Sequence, residues 1–177
     1  MQHGDVSIVS AERTVRRQAA RSVLRKAAID ALGGANTVLT RSYSSTVEQI
    51  LSDAAGVKRV VNGEGRPRYE GRRLAEVLES GGRKVEFITD AALALFAQRV
   101  DHLLLGADSI ISDFAVIHKV GSLAAVLGAE SAGVPRLVAA YSFNIDPIHA
   151  AATIPLDEMA AEGSLLRTAR TMSEHIL

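Results

Sequence analysis

The stretch "VDHLLLGADSIISDFAVIHKVGS", Val100–Ser122, decides the fold. Apolar residues run unbroken through Leu103, Leu104 and Leu105 and end on Gly106 and a carboxylate, Asp108. A short apolar run bounded by turn residues is the pattern of a strand buried on both faces, as in a parallel sheet. The chain then crosses a short polar turn and sets a lone Lys119 before Gly121 and Ser122, where an apolar run of helical length begins.

Outward from this stretch the pattern repeats. The runs "NTVLT", "KRVVNG", "RKVEFITD" and "PRLVAAYS" are likewise short and broken by Gly, Ser or Asp, and helix-like segments at 44–55, 70–80, 91–99 and 121–132 lie between them. Strands alternating with helices of this length call for right-handed crossovers and a mostly parallel sheet with helices on both faces, an α/β fold. Ahead of the first strand, "SAERTVRRQAARSVLRKAAIDALGG" places Val15, Ala19, Val23, Ala27 and Leu32 near helical spacing, with Ser10 as a cap and a Gly pair as a stop. Residues 148–177 read as one or two helices packed on this body or on a partner. The expected division is one domain over 1–177, with an N-terminal helix at 1–36, a core at 37–147 and that C-terminal helical segment.

A chain of 177 residues can bury an ordinary core as one domain. Its 20 basic side chains balance 20 acidic ones, so the charge gives no reason to expect nucleic acid or an acidic membrane surface as a partner. The lack of cysteine excludes disulfides, thiolate metal sites and cysteine nucleophiles. The opening residues lack the apolar core of a signal peptide, and no apolar run reaches the roughly 20 residues of a membrane span. The expectation is therefore a cytoplasmic protein. The five histidines show no metal-ligand spacing, and the chain has neither a nucleophile elbow nor a Walker loop, so no metal and no cofactor is expected.

In a parallel sheet, ligands bind beyond the carboxyl ends of the strands, where helix N-termini also point. The polar clusters 40–45, 62–68, 89–90, 106–108 and 141–144 each follow a strand-like run and would share that rim. In "TRSYSSTVEQIL", Arg41 and the hydroxyls of Ser42, Ser44, Ser45 and Thr46 suit a phosphate at a helix N-terminus, although Ser44 or Ser45 can equally cap the helix. "NGEGRPRYEGRRLAEVL" lacks the third glycine of a dinucleotide fingerprint. Arg66 there suits an anion clamp or a salt bridge, with Arg68, Arg72 and Arg73 on a solvated helix face. Asp108 can serve as an acid or base, bind sugar hydroxyls or cap a turn. Lys119, just before a helix, opposes the helix dipole unless an anion is present.

Read in order, "VLTRSYSSTV", "GEGRPRYEGRRLAEVL", "FITDAAL", "VDHLLLGADSI", "AVIHKVGSLAAVLGAESAGVP" and "VAAYSFNIDP" resemble the translation initiation factor 2B alpha/beta/delta family. That family includes ribose-1,5-bisphosphate isomerase and methylthioribose-1-phosphate isomerase. The resemblance covers about 37–147. It implies a Rossmann-like domain, a pocket for a phosphorylated sugar or nucleotide monophosphate, and a homodimer or larger assembly. It implies that Arg66 and Lys119 bind phosphate, that Ser44, Ser45 and Thr46 line the phosphate loop, and that Asp108 moves a proton between neighbouring sugar carbons. Gly106, His118 and Gly121 would border the pocket.

The chain departs from the isomerase pattern where a catalytic Cys and its preceding His are replaced by Ser42 and Arg41. A hydroxyl is a far weaker acid than a thiol, so the thiol proton shuttle is absent in that form. His118 stands where the isomerases carry an amide, and Phe114 where they carry Gly. Relatives also carry a larger N-terminal helical domain, which leads us to expect a more open pocket here. The expectation is a regulatory, initiation-factor-like protein that binds a phosphorylated ligand. Two alternatives are an aldose–ketose isomerase using Asp108 with Ser42, His118 or water, and a structural subunit with a vestigial pocket.

Overall fold

The computed structural model describes residues 4–150 and 165–166. In chain order the elements are α1 (Gly4–Leu32), β1 (Thr37–Arg41), α2 (Ser45–Asp53), β2 (Arg59–Gly63), α3 (Gly71–Ser80), β3 (Lys84–Ile88), α4 (Leu93–Ala97), β4 (His102–Gly106), β5 (Ser109–Ile111), β6 (Val116–Ile117), α5 (Ser122–Ser131), β7 (Arg136–Ala139), β8 (Ile145–Asp146) and β9 (Leu165–Leu166). Short 3-10 turns cover Asp90–Ala92 and Ser142–Asn144.

The main sheet has the order β3-β2-β1-β4-β7, and every neighbouring pair is parallel. Its core explains the unbroken leucines of β4. Successive side chains of a strand alternate between faces. Leu104 packs with Leu32, Ile50 and Leu74 of the α1–α3 layer, while Leu103 and Leu105 pack with Leu93, Val126 and Ala129 of the α4–α5 layer. With helices on both faces none of the three leucines is left to water, and burying each stabilises the fold by about 1.5–3 kcal/mol.

The first helix differs from its expected face. Of the expected stripe Leu32 is buried but Val23 is 70% exposed, and Leu24 and Ala28 pack against the sheet beside Leu32 instead. Both stripes recur every fourth residue, and the one carrying two leucines offers more apolar area to bury. Gly33, with a φ of 52°, ends the helix as expected.

Two features position the functional rim. β2 and β4 flank β1 on opposite sides, so the connections leaving β1 and β4 diverge and open a crevice at their carboxyl ends. A second sheet, β8-β5-β6-β9, stands beyond that crevice. The polar turn expected between β4 and α5 is in fact an antiparallel β5–β6 hairpin, with Phe114 at a φ of 60° in its bend. Of the expected C-terminal helical segment, Leu165–Leu166 form a strand antiparallel to Val116–Ile117, and 151–164 and 167–177 lie outside the described residues. No helix among the described residues is long and apolar enough to cross a membrane.

Candidate functional site

β1 hands the chain to the crevice through Ser42, whose φ of 63° is unusual for a residue with a side chain. Backbone strain of this kind persists only where the surroundings enforce it, and it clusters at functional sites. The following residues turn into α2 with Ser44 as N-cap, its Oγ accepting from the Val47 N–H at 3.4 Å. Ser45 and Thr46 open the helix, where backbone N–H groups lack intrahelical partners and the dipole is positive. On the opposite wall, a Cβ at Gly106 would lie 2.8 Å from Ser44 Oγ, so bare backbone is what lets the two strand ends close together.

The β5–β6 hairpin supplies the third wall. The Asp108 N–H donates to the Ile117 carbonyl at 2.9 Å, which sets Asp108 beside His118 and Lys119 although a whole hairpin intervenes in sequence. The result is a cleft of about 240 Å³ lined by Ser44, Ser45 and Thr46 on one side, Gly106 and Asp108 on another, and His118 and Lys119 on the third.

Lys119 is anchored at the floor. Its Nζ donates to Ser42 Oγ and to the Tyr43 carbonyl, each at 3.2 Å, and it forms an ion pair with Glu70. Ser42 Oγ in turn donates to Glu70 Oε2 at 3.1 Å. Glu70 precedes α3 but makes no side-chain cap, so its carboxylate is committed to this cluster. The hydrogen bond from Lys119 holds it below the usual glutamate range, against an opposing effect of burial. Ser42 is only 1% exposed and lies beneath the cleft rather than on its wall.

Asp108 is open to solvent at the mouth, yet the walls around its carboxyl withhold enough water to push its pKa up. Lys119 pulls it down and the Glu70 charge pushes it up. His118 is 4% exposed and is the opposite case. Burial, reinforced by the positive charges of Arg41 and Lys119, pulls the ring down to about 3 and keeps it neutral. Its Nδ1 meets Ser122 Oγ at 2.6 Å.

Three sequence candidates stand elsewhere. Arg41 is buried on the α4–α5 face in an ion pair with Asp90 at 3.0 Å, and its Nη2 also donates to the Arg66 carbonyl at 3.4 Å. Asp90 binds the same loop from the other side, accepting the N–H groups of Gly65 and Arg66. The Arg66 side chain is 62% exposed, near Glu64 Oε1 at 3.5 Å and over the Tyr69 ring, and does not line the cleft. Gly121, with a φ of 99°, caps α5 against the Arg41 guanidinium rather than the cleft. Sequence reasoning passed over Glu70 as a site residue, because nothing local distinguishes it from any acidic residue at a helix start. Among the described residues no cluster of three or more His, Asp or Glu side chains could hold a metal ion.

This geometry sits in a chain whose residues 8–174 match the Initiation factor 2 subunit family. The chain belongs to that family. An eIF-2B subunit 2-like protein of Pyrococcus horikoshii is 36% identical over 115 residues, 63% of this chain and 42% of its own length. Ribose 1,5-bisphosphate isomerase of Archaeoglobus fulgidus is 35% identical over 114 residues, 63% of this chain and 36% of its own length. The chain thus spans half or less of the curated relatives it matches. Among solved structures, the Pyrococcus horikoshii OT3 translation initiation factor eIF-2B superposes with a TM-score of 0.76 at 30% identity, covering 82% of this chain and 54% of that one. The 5-methylthioribose 1-phosphate isomerase of the same organism shares the fold, with a TM-score of 0.66 at 24% identity over 75% of this chain and 41% of that one.

Proposed function

We propose that this Initiation factor 2 family chain binds a phosphorylated sugar or nucleotide monophosphate in the cleft, as a cytoplasmic regulatory protein without the thiol-dependent isomerisation of some relatives. The observation that carries this reading is the convergence of the Ser44–Ser45–Thr46 turn, at a helix N-terminus, with the Lys119 ammonium around one small polar cavity. Helix N–H groups, hydroxyls and a lysine are the donors a phosphate needs. The thiol position argues against the familiar chemistry: Ser42 is buried below the cleft and already bonded to Lys119 and Glu70. Assembly as a homodimer or larger is part of the same reading. The α4–α5 layer leaves Leu95, Leu123 and Leu127 exposed, and mass measurement in solution tests it.

Asp108 favours a second reading, an aldose–ketose isomerase. A carboxyl with a raised pKa at the mouth of a sugar-sized cleft is suited to passing a proton between adjacent carbons. Phosphorus NMR of the protein with ribose 1,5-bisphosphate, methylthioribose 1-phosphate, ribose 5-phosphate and AMP in turn separates the two. Line broadening without new resonances supports binding alone; product resonances that vanish in Asp108→Asn establish the isomerase.

A further inference from the structure

We propose that His118 sets the specificity of the cleft. Its Nε2 is a fixed, uncharged hydrogen-bond acceptor that selects phosphate esters carrying a hydroxyl over those that do not. The inference rests on the reading of the cleft as a phosphorylated-ligand site and names which part of the ligand that site recognises.

One proton decides the tautomer of the His118 ring. Ser122 Oγ lies 2.9 Å from the Lys119 carbonyl oxygen and 2.6 Å from His118 Nδ1. A serine hydroxyl has a single hydrogen to give. Given to the ring, it would leave oxygen lone pairs facing each other across the 2.9 Å contact with the carbonyl. Given to the carbonyl, it leaves Oγ as the acceptor of an Nδ1–H. The second arrangement satisfies every atom, so Nδ1 carries the ring proton.

A neutral imidazole protonated at Nδ1 has a bare Nε2. No protein group among the described residues donates to that atom, and it is not among the fully buried polar atoms. Its lone pair is therefore unspent, on a residue that lines the cleft. The cavity is then polarised by chemistry. Ser44, Ser45, Thr46 and Lys119 present donors suited to an anion, while His118 and Asp108 present acceptors suited to hydroxyls. A ligand with no donor at this point would cover the acceptor without pairing it, and a site built to bond a hydroxyl discriminates strongly against analogues that lack it.

The test uses the full chain with two probes, ribose 5-phosphate and methyl phosphate, followed by calorimetry, with nitrogen-15 NMR of the His118 ring in the ligand-free protein. Wild type is expected to show a protonated Nδ1 and a bare Nε2, and to bind ribose 5-phosphate more tightly than methyl phosphate. His118→Phe is expected to cut that preference by about fivefold or more while leaving methyl phosphate within about twofold of wild type. Ser122→Ala releases the ring proton without removing the ring, so mixed tautomers and a reduced preference are expected, and it serves if the Phe variant does not fold. A proton on Nε2, or equal effects of His118→Phe on both probes, would overturn the inference. Failure of wild type to bind either probe would overturn the phosphate reading itself, separately from the acceptor, which the nitrogen spectrum decides.

Discussion

The Lys119 ammonium, just ahead of α5, reaches back to the Glu70 carboxylate at the start of α3, and both meet the Ser42 hydroxyl. The cation best placed for a ligand phosphate is thus already neutralised by a resident carboxylate. If the cleft takes a phosphorylated ligand as proposed, binding there exchanges one anion for another at Lys119.

Lys119→Ala removes a charged donor from the cleft. Hydrogen bonds to charged groups contribute about 1.5–3 kcal/mol, so affinity for ribose 5-phosphate is expected to fall at least about tenfold. Arg66→Ala, whose side chain does not line the cleft, is expected to do much less. Isothermal titration of both variants checks this. A loss for Arg66→Ala as large as that for Lys119→Ala would place the anion outside the cleft, and no loss in either would sink the phosphate reading.

Glu70→Gln leaves the shape but removes the competing charge, so phosphate affinity is expected to rise by severalfold, read by the same titration. Stability gives a second readout. The Glu70 pKa is lowered in the folded chain from its ordinary 4.5. Its stabilising effect is therefore complete above about that value and is lost as pH falls through the lower folded value. Thermal melts below pH 5 should show wild type losing its advantage over Glu70→Gln.

Asp108 has the opposite sign. Its carboxyl is pushed above the ordinary 3.8, so the folded chain binds its proton more tightly than the unfolded chain does. Wild type should lose stability relative to Asp108→Asn as pH rises from 3.8 through the raised value, and the two should match in stronger acid. A higher melting temperature for Asp108→Asn at pH 7, with phosphate binding retained, would show that this carboxylate is kept at a cost to the fold. Equal melting at all pH values would refute the raised pKa.

Gly128→Ala tests the layer beneath the site. Alanine is favoured over glycine inside a helix by about 1 kcal/mol, so propensity alone predicts a gain. In α5, however, a Cβ at this position would lie 2.4 Å from the Ala94 carbonyl oxygen and 2.7 Å from Ala94 Cα. Backbone cannot move aside as a side chain can, and overpacking typically costs about 1–3 kcal/mol. A net loss is expected in urea unfolding, and a gain would show that α5 can shift away from α4 at little cost.

What the sequence determined by itself was the layered sheet and the rim that carries the site. Leu103, Leu104 and Leu105 had to be buried on both faces, and parallel strands necessarily bring the polar residues after β1 and β4 to the same end. Those are consequences of local periodicity and of the chain's direction, which a sequence displays openly. Tertiary structure decided which charges meet. Lys119 finds Glu70 from 49 positions away and Ser42 from 77, while Arg41, whose residue type suits phosphate, is taken by Asp90 from 49 positions away. Val23 lost its place in the core to Leu24 by a rotation of one residue that only the packing surface could choose. Such contacts depend on strand order, hairpin geometry and helix rotation, each set by the collective burial of apolar area rather than by any short stretch of residues.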